Sequence, residues 1–196
     1  MRYRSVGNRC AIHLPSLELP ISEEKVLAFL KQVGFSIVDV NLAEMAQEYI
    51  GKAKYQLGAP LQKAPHVVDC SSFTKWIFGR KGIWLSRLSI QQREMGVAVE
   101  SPIGGDLVFT VGYRNFYKTD PADEVGHVGV TTDDNHVIHA AGKKTGVTKT
   151  SLQRFMCGRY RGIRRIVYPN TITLVCPTAY AIETSDDIRW LVLRKI

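Results

Sequence analysis

No stretch of this chain of 196 residues runs to more than a few apolar residues in succession, and a helix needs about 20 of them to cross a bilayer. Membrane insertion is therefore not expected. The N-terminus, from Met1 through Arg2, Arg4 and Arg9, has no apolar segment behind its charges, so it does not read as a secretory leader and the cytoplasm is the default expectation. Export by another route, or a leader removed beforehand, would leave the same trace. There is no low-complexity tract and no internal repeat, which sets aside solenoids and disordered linkers. Cysteine is scarce. Cys10, Cys70, Cys157 and Cys176 lie far apart, with no Cys-x-x-Cys pair and no Cys–His spacing of the zinc-finger kind, so neither a metal nor another cofactor is expected, and free thiols are the default for a chain of this size. Acidic residues are also in deficit, 18 against 26 lysines and arginines, for a net charge of +8. That excess suits an anionic partner: nucleic acid, anionic lipid or an anionic polymer such as cell wall. The basic cluster Arg159, Arg161, Arg164, Arg165, Lys143, Lys144 and Lys149 has no recognition helix or RNA-binding signature beside it, so it reads as a solvated basic face and nucleic acid is not expected. Nothing in the sequence speaks to oligomeric state.

What is present suits one well-filled domain. Residues 1–21, with Pro15 and Pro20, read as an extended arm. Ser22, followed by Glu23 and Glu24, caps a helix to about Gln32 that Gly34 ends, and a short strand over Phe35–Val40 follows. Asn41 and Glu44 have capping-box spacing, and Leu42, Met45, Ala46, Tyr49, Ile50 and Ala53 form a stripe that predicts a helix to about Leu57. After a turn-rich loop and the helix described next, residues 85–92 read as a short helix. Strand patterns occupy Asp106–Val111, His127–Thr132, His136–Ala141, Tyr160–Tyr168 and Thr171–Cys176, with Asp133-Asp134-Asn135 as a tight hairpin. Helices first and an antiparallel sheet afterwards predict an α+β fold. The organisation expected is an accessory arm and helix over 1–40, a functional domain over 41–168 and a C-terminal extension over 169–196.

The chemistry begins at Val68–Gly79. Asp69 is a good N-cap for a helix whose first residue is Cys70, because its carboxylate can accept from the N–H of Ser71 or Ser72; Phe73, Trp76 and Ile77 share one face, and Gly79 supplies a stop. A thiol in the first turn faces the positive end of the helix, which can draw its pKa from about 8.5 into the range of roughly 3.5–7.5. A cysteine nucleophile needs a base, and that base a group to orient it. Strand alternation puts His139 on the face opposite His136 and Ile138, able to sit across from the start of the strand carrying His127. One sheet face can then present two imidazoles to the cysteine helix. Taken singly, each of the two histidines reads more readily as an ordinary sheet residue, and His136 at the turn, His66 in the loop and His13 are read as ordinary structural residues.

These pieces, in order, resemble the NlpC family of cysteine peptidases, cell-wall endopeptidases of papain-like fold. The family's Asp-Cys-Ser, Arg-x-Ser/Thr-x-x-Gln, Gly-Asp-Leu-Val-Phe, His-Val-Gly and apolar-His-Ala motifs correspond to Asp69-Cys70-Ser71, Arg87-Leu88-Ser89-Ile90-Gln91-Gln92, Gly105–Phe109, His127-Val128-Gly129-Val130 and Val137–Ala140. Tyr55 to Pro60 resembles the segment that precedes the cysteine in the family. The resemblance implies the papain-like α+β arrangement with Cys70 at a helix N-terminus as nucleophile, His127 as general base and His139 orienting it. It also implies a substrate subsite bordered by Asp69, Ser71, Arg87 and Tyr55, an oxyanion held by the Cys70 N–H with help from nearby groups, no metal, and hydrolysis of peptidoglycan stem-peptide or muropeptide amides through a thioester.

The departures from the family pattern lie mostly before the cysteine. Leu61 follows Pro60 where many members carry a Tyr that contributes to the oxyanion region, the loop Gln62–His66 is short and lacks glycine, Ser72 replaces a Gly, and Ser86 a Pro. The segment Gly112–Gly126, with Tyr113, Phe116, Tyr117, Arg114 and Lys118, is long enough to wall a cleft. The alternatives are a catalytically weak wall-binding module and a thiol-dependent acyltransferase or deamidase on the same fold.

Overall fold

Strand-forming residues dominate the second half of the chain, and in the computed structural model, which describes residues 2–112 and 124–195, they assemble a six-stranded sheet. Its order is β5 (Val97–Ala98), β10 (Tyr160–Arg165), β6 (Leu107–Val111), β7 (Val125–Thr131), β8 (His136–Gly142) and β9 (Gly146–Ser151), every neighbouring pair antiparallel. The inner strands bury Leu107, Val108, Phe109, Val128, Val130 and Ile138 completely, as expected of strands covered on both faces. Four helices accompany the sheet: α2 (Leu42–Gln47), α3 (Cys70–Arg80), α4 (Ser89–Arg93) and α5 (Leu152–Met156). Helix α3 runs through Gly79 and ends one residue beyond it. The α+β class and the placement of Cys70 at the first position of a helix follow the expectation.

The chain divides into two compact units. The sheet belongs to the one formed by Asn41–Ile77 and Leu85–Val167; residues up to Val40, Phe78–Trp84 and those from Tyr168 onward form the other. In this second unit the N-terminal arm contributes β1 (Arg9–His13), which pairs with β11 (Thr171–Val175), and β11 pairs in turn with β2 (Ser36–Val38). Helices α1 (Glu23–Gln32) and α6 (Ser185–Leu193) complete it. Its core brings together Cys10, Ile12, Val26, Leu30, Phe35, Leu174, Ile188 and Val192. Ser22 caps α1 through Lys25 N at 3.4 Å. Helix α6 carries a capping box between Thr184 and Asp187 that the sequence reading did not use.

The helix expected to run to about Leu57 stops at Gln47. Asn41 does cap it, accepting from Ala43 N at 3.0 Å and Glu44 N at 3.2 Å, but from Tyr49 to Gly51 the amides leave the i−4 pattern. Ile50 N reaches Gln47 O, and Gly51, at φ +72°, donates to Val147 O of β9 at 3.0 Å. Lys54–Tyr55 then forms β3, parallel to β4 (Val67–Val68), with Tyr55 in register with Val68. Sheet pairing outweighs the helical stripe, and the consequence is functional: Tyr55 is carried to within two residues of the register position of Cys70.

Gly129 on β7 shows how closely the strands approach beside the histidines. A Cβ there would lie 2.3 Å from Val137 Cγ1 and 3.0 Å from His139 Cβ, so any larger residue would push the Val137 side chain aside and crowd His139. Among the described residues no helix is long and apolar enough to cross a membrane. The aromatic and basic residues between Gly112 and Glu124 lie outside the described residues.

Candidate active site

The first turn of α3 is fixed by reciprocal bonds. Asp69 Oδ1 accepts from Ser72 N at 2.7 Å, and Ser72 Oγ accepts from Asp69 N at 2.8 Å, a capping arrangement in which two otherwise orphaned amides are satisfied. Arg87 grips the same carboxylate with both ends of its fork, Nη1 to Oδ1 at 3.0 Å and Nη2 to Oδ2 at 2.5 Å. Its remaining N–H groups donate to Ser71 Oγ at 3.0 Å and to Ala59 O at 2.8 Å. From the same motif Gln92, fully buried, donates to Ser71 O at 3.0 Å and Ser86 O at 2.8 Å and accepts from Thr74 Oγ1 at 2.8 Å. The spacing of Arg87 and Gln92 thus has a physical reading: one braces the cap, the other the carbonyl side of the same turn. Asp106, of the Gly-Asp-Leu-Val-Phe stretch, is paired with Arg165 at 2.8 and 3.0 Å and anchors the entrance to β6.

Two imidazoles meet on the sheet. His127 Nε2 and His139 Nδ1 are 2.8 Å apart, and His139 Nε2 is 3.0 Å from Thr150 Oγ1 on β9. With Nε2 engaged, Nδ1 is the nitrogen that His127 has left for another partner. Phe155 of α5 covers both rings, at 5.5 Å from His127 and 4.8 Å from His139. The Cys70 sulfur lies against the backbone N–H of Val128, the residue after His127, and against that of Ser71. Three of the expected residues are therefore gathered at one end of β7. Tyr55 lines a cavity of about 590 Å³ together with His127, His139, Phe155, Lys143 and Arg159, and burial, with the Cys70 thiol and the Asp69 carboxylate close by, pushes its phenol up. Leu61 sits on a 3₁₀ turn, Leu61–Lys63, and is 38% exposed. Thr150 and Phe155 were not singled out in the sequence; the run Gly146–Ser151 has the alternation of a strand, and reading it as the partner of β8 would have brought Thr150 forward.

The electrostatics reverse one expectation. Burial, with the Asp69 carboxylate adding to it, pushes the Cys70 thiol up to about 11 despite its place at the helix N-terminus and the nearby Arg87. Burial also pushes His127 down to about 3, with His139 and Arg159 contributing, and His139 down to about 4. Loss of water around the three groups outweighs the helix end, and at neutral pH the resting site is a neutral thiol beside neutral imidazoles. A stability consequence follows by linkage. Both histidines carry folded-state pKa values below the ordinary 6.5, so the unfolded chain binds the extra protons; the stabilisation is complete above that value and is lost as pH falls from it towards 4. The thermal unfolding midpoint is expected to drop between pH 7 and 5, with a shallower slope in His139→Gln. A slope identical in the variant would contradict the buried neutral pair.

Among the described residues no group of His, Cys, Asp or Glu side chains is arranged to hold a metal ion, and all four cysteines are free thiols.

Comparison with known proteins agrees with this layout. The NlpC/P60 family model matches residues 51–165. A probable endopeptidase p60 of Listeria innocua is 33% identical over 97 residues, covering 48% of this chain and 18% of that protein; the chain spans less than a fifth of that relative's length. An NlpC/P60 family protein from Bacillus cereus superposes with a TM-score of 0.55 at 26% identity, over 65% of this chain and 40% of the other. The NlpC/p60 domain of the peptidoglycan hydrolase SagA does so with a TM-score of 0.50 at 25% identity, over 64% of this chain and 96% of that domain. Matched by the family model over more than half its length, from before the Asp69–Ser72 turn to the end of the sheet, the chain belongs to the NlpC/P60 family.

Proposed function

We propose that the chain is a cysteine peptidase that hydrolyses an amide of peptidoglycan stem peptides or muropeptides through a thioester. The observation that carries this reading is the 2.8 Å contact between His127 Nε2 and His139 Nδ1 beside a thiol that starts a helix. In the neutral site His127 donates its Nε2–H to His139 Nδ1 and keeps a lone pair on Nδ1 for the thiol proton, while His139 donates from Nε2 to Thr150. As Cys70 S attacks the carbonyl carbon, its proton passes to His127 Nδ1, and the imidazolium is stabilised by its bond to His139. His127 then gives the proton to the departing amine. Water, activated by the same imidazole, cleaves the thioester and restores the thiol.

The developing oxyanion is held by the backbone N–H of Cys70, which has no acceptor within the helix at that position. The Tyr55 phenol supplies a second donor that Leu61 lacks; burial, with the Asp69 carboxylate adding to it, raises its pKa to about 12 and keeps it protonated. One such donor is worth on the order of a hundredfold in rate. Asp69, Ser71 and Arg87 border the subsite in front of the thiol, with Arg87 the most open of the three.

The test is mass spectrometry of purified muropeptides incubated with the protein and with Cys70→Ala. A stem-peptide fragment should appear only with the intact thiol. The same fragments from Cys70→Ala, or none from either protein, would overturn the proposal.

A further inference from the structure

The three-stranded sheet ends on an open edge. Its order is β1-β11-β2, so β2 (Ser36–Val38) pairs with β11 on one side, and among the described residues no strand pairs with its other side. The strand carries neither a proline nor a charge, the usual guards of a free edge. Ile37 is half exposed, although Leu174, its register partner on β11, is fully buried. The two share one sheet face, so an apolar side chain of the core face stands open. Beside it runs a groove of about 610 Å³ between β2 and α1, whose walls include Leu27, Ala28, Leu30 and Lys31. Helix α6 packs against α1 and β1, which leaves this flank of α1, at the β2 end of the sheet, uncovered.

From this we infer that the edge is a self-association surface. A second copy of the chain pairs β2 with β2 antiparallel across a two-fold axis at Ile37, joining two three-stranded sheets into one, with the two α1 helices antiparallel on one face. The levels agree. Gly34, at φ +95°, reverses the chain between α1 and β2, and Phe35 N closes the turn on Leu30 O at 2.9 Å. Counted from Gly34, Ile37 lies three strand residues back, about 10 Å, and Ala28 six helical residues back, about 9 Å. One axis therefore passes both, and the small side chain of Ala28 lets the helices reach their usual separation of about 8–10 Å. Charge selects a second copy over another strand. Glu24 and Lys31 flank Ala28 on the groove side of α1, four residues before it and three after. Both are exposed, and among the described residues neither has an ion pair within the chain. A two-fold axis at Ala28 sets each Glu24 against Lys31 of the other copy, as an isologous contact requires. Along the strands Ser36 meets Val38 and Ile37 meets itself, so no like charges face each other. The surface is independent of the proposed peptidase reading.

The experiment is sedimentation equilibrium of the protein over a range of concentrations, with a reductant present so that the exposed Cys157 cannot link two copies. A reversible dimer is expected. Ile37→Lys, which puts two ammonium groups on the axis, should raise the dimer dissociation constant roughly a hundredfold or more, the cost of burying unpaired charge. Glu24→Lys and Lys31→Glu should each raise it about tenfold, a few-fold for each of two exposed pairs, and the double variant Glu24→Lys/Lys31→Glu should return it to the starting value. Mixing the two single variants should give a heterodimer tighter than either homodimer, since both pairs are then complementary. The charge substitutions lie on solvent-facing helix positions, so they decide the question even if Ile37→Lys does not fold. A monomer at every concentration, which would leave the edge to a strand of another protein, would overturn the proposal. So would a dimer that neither Ile37→Lys nor the charge reversals weaken.

Discussion

His127→Ala is expected to lower kcat/KM for a stem-peptide amide by a thousandfold or more, and His139→Ala by less. The reason is a division of labour in the imidazole pair. His127 alone has a nitrogen left for the thiol proton, and with the thiol held up to about 11 the fraction of thiolate at neutral pH is negligible without a base. General-base assistance is worth roughly 10²–10⁴ in rate, and here it also has to create the nucleophile. In the proposed mechanism His139 is a positioning residue that accepts from His127 and is in turn held by Thr150. Its loss should leave KM nearly constant, lower kcat by tens to hundreds of times, on the order expected for a lost orienting hydrogen bond, and be partly rescued by His139→Asn, whose carbonyl can accept in its place. Equal losses at the two positions, or rescue of His127→Ala by raised pH alone, would remove the assigned roles.

The second large effect concerns stability. Arg87→Ala should destabilise the protein by about 3–5 kcal/mol, because it leaves the Asp69 carboxylate, only 4% exposed, without its bidentate partner. Asp69 would retain only the Ser72 amide at 2.7 Å and the Ser71 hydroxyl at 3.3 Å, both on Oδ1. Arg87→Lys is expected to restore little, since a single ammonium cannot span both carboxylate oxygens and also reach Ser71 and Ala59. Denaturant titration of Arg87→Ala, Asp69→Asn and the double variant isolates the pair; Asp69→Asn should be tolerated better when Arg87 is already gone. A loss below about 1 kcal/mol would class the pair with exposed ion pairs.

The sequence carried the residues of the site further than it carried their surroundings. Asp69 as N-cap, Cys70 at the first helical position and two histidines on one sheet face depend on local rules, capping and strand alternation, and these are visible in a few neighbouring letters. The truncation of α2 was not visible, since the competing partner of Gly51 is Val147, almost a hundred residues away. Thr150 and Phe155 were missed for the same reason: their meaning comes from the β8–β9 pairing and from how α5 folds over it. The direction of the thiol's pKa was misjudged because a helix end can be read from sequence, whereas the loss of water around a side chain cannot.

Phe155, lying over both imidazoles, and the buried thiol have a consequence for chemical durability. Peroxides and disulfides attack thiolates far faster than thiols, and a cysteine kept protonated in a dry pocket offers them little to attack. Cys157, exposed on the surface, is the more vulnerable sulfur. In an oxidising surrounding Cys70 would outlast its exposed neighbour, because the burial that keeps the resting thiol protonated also protects it from oxidation.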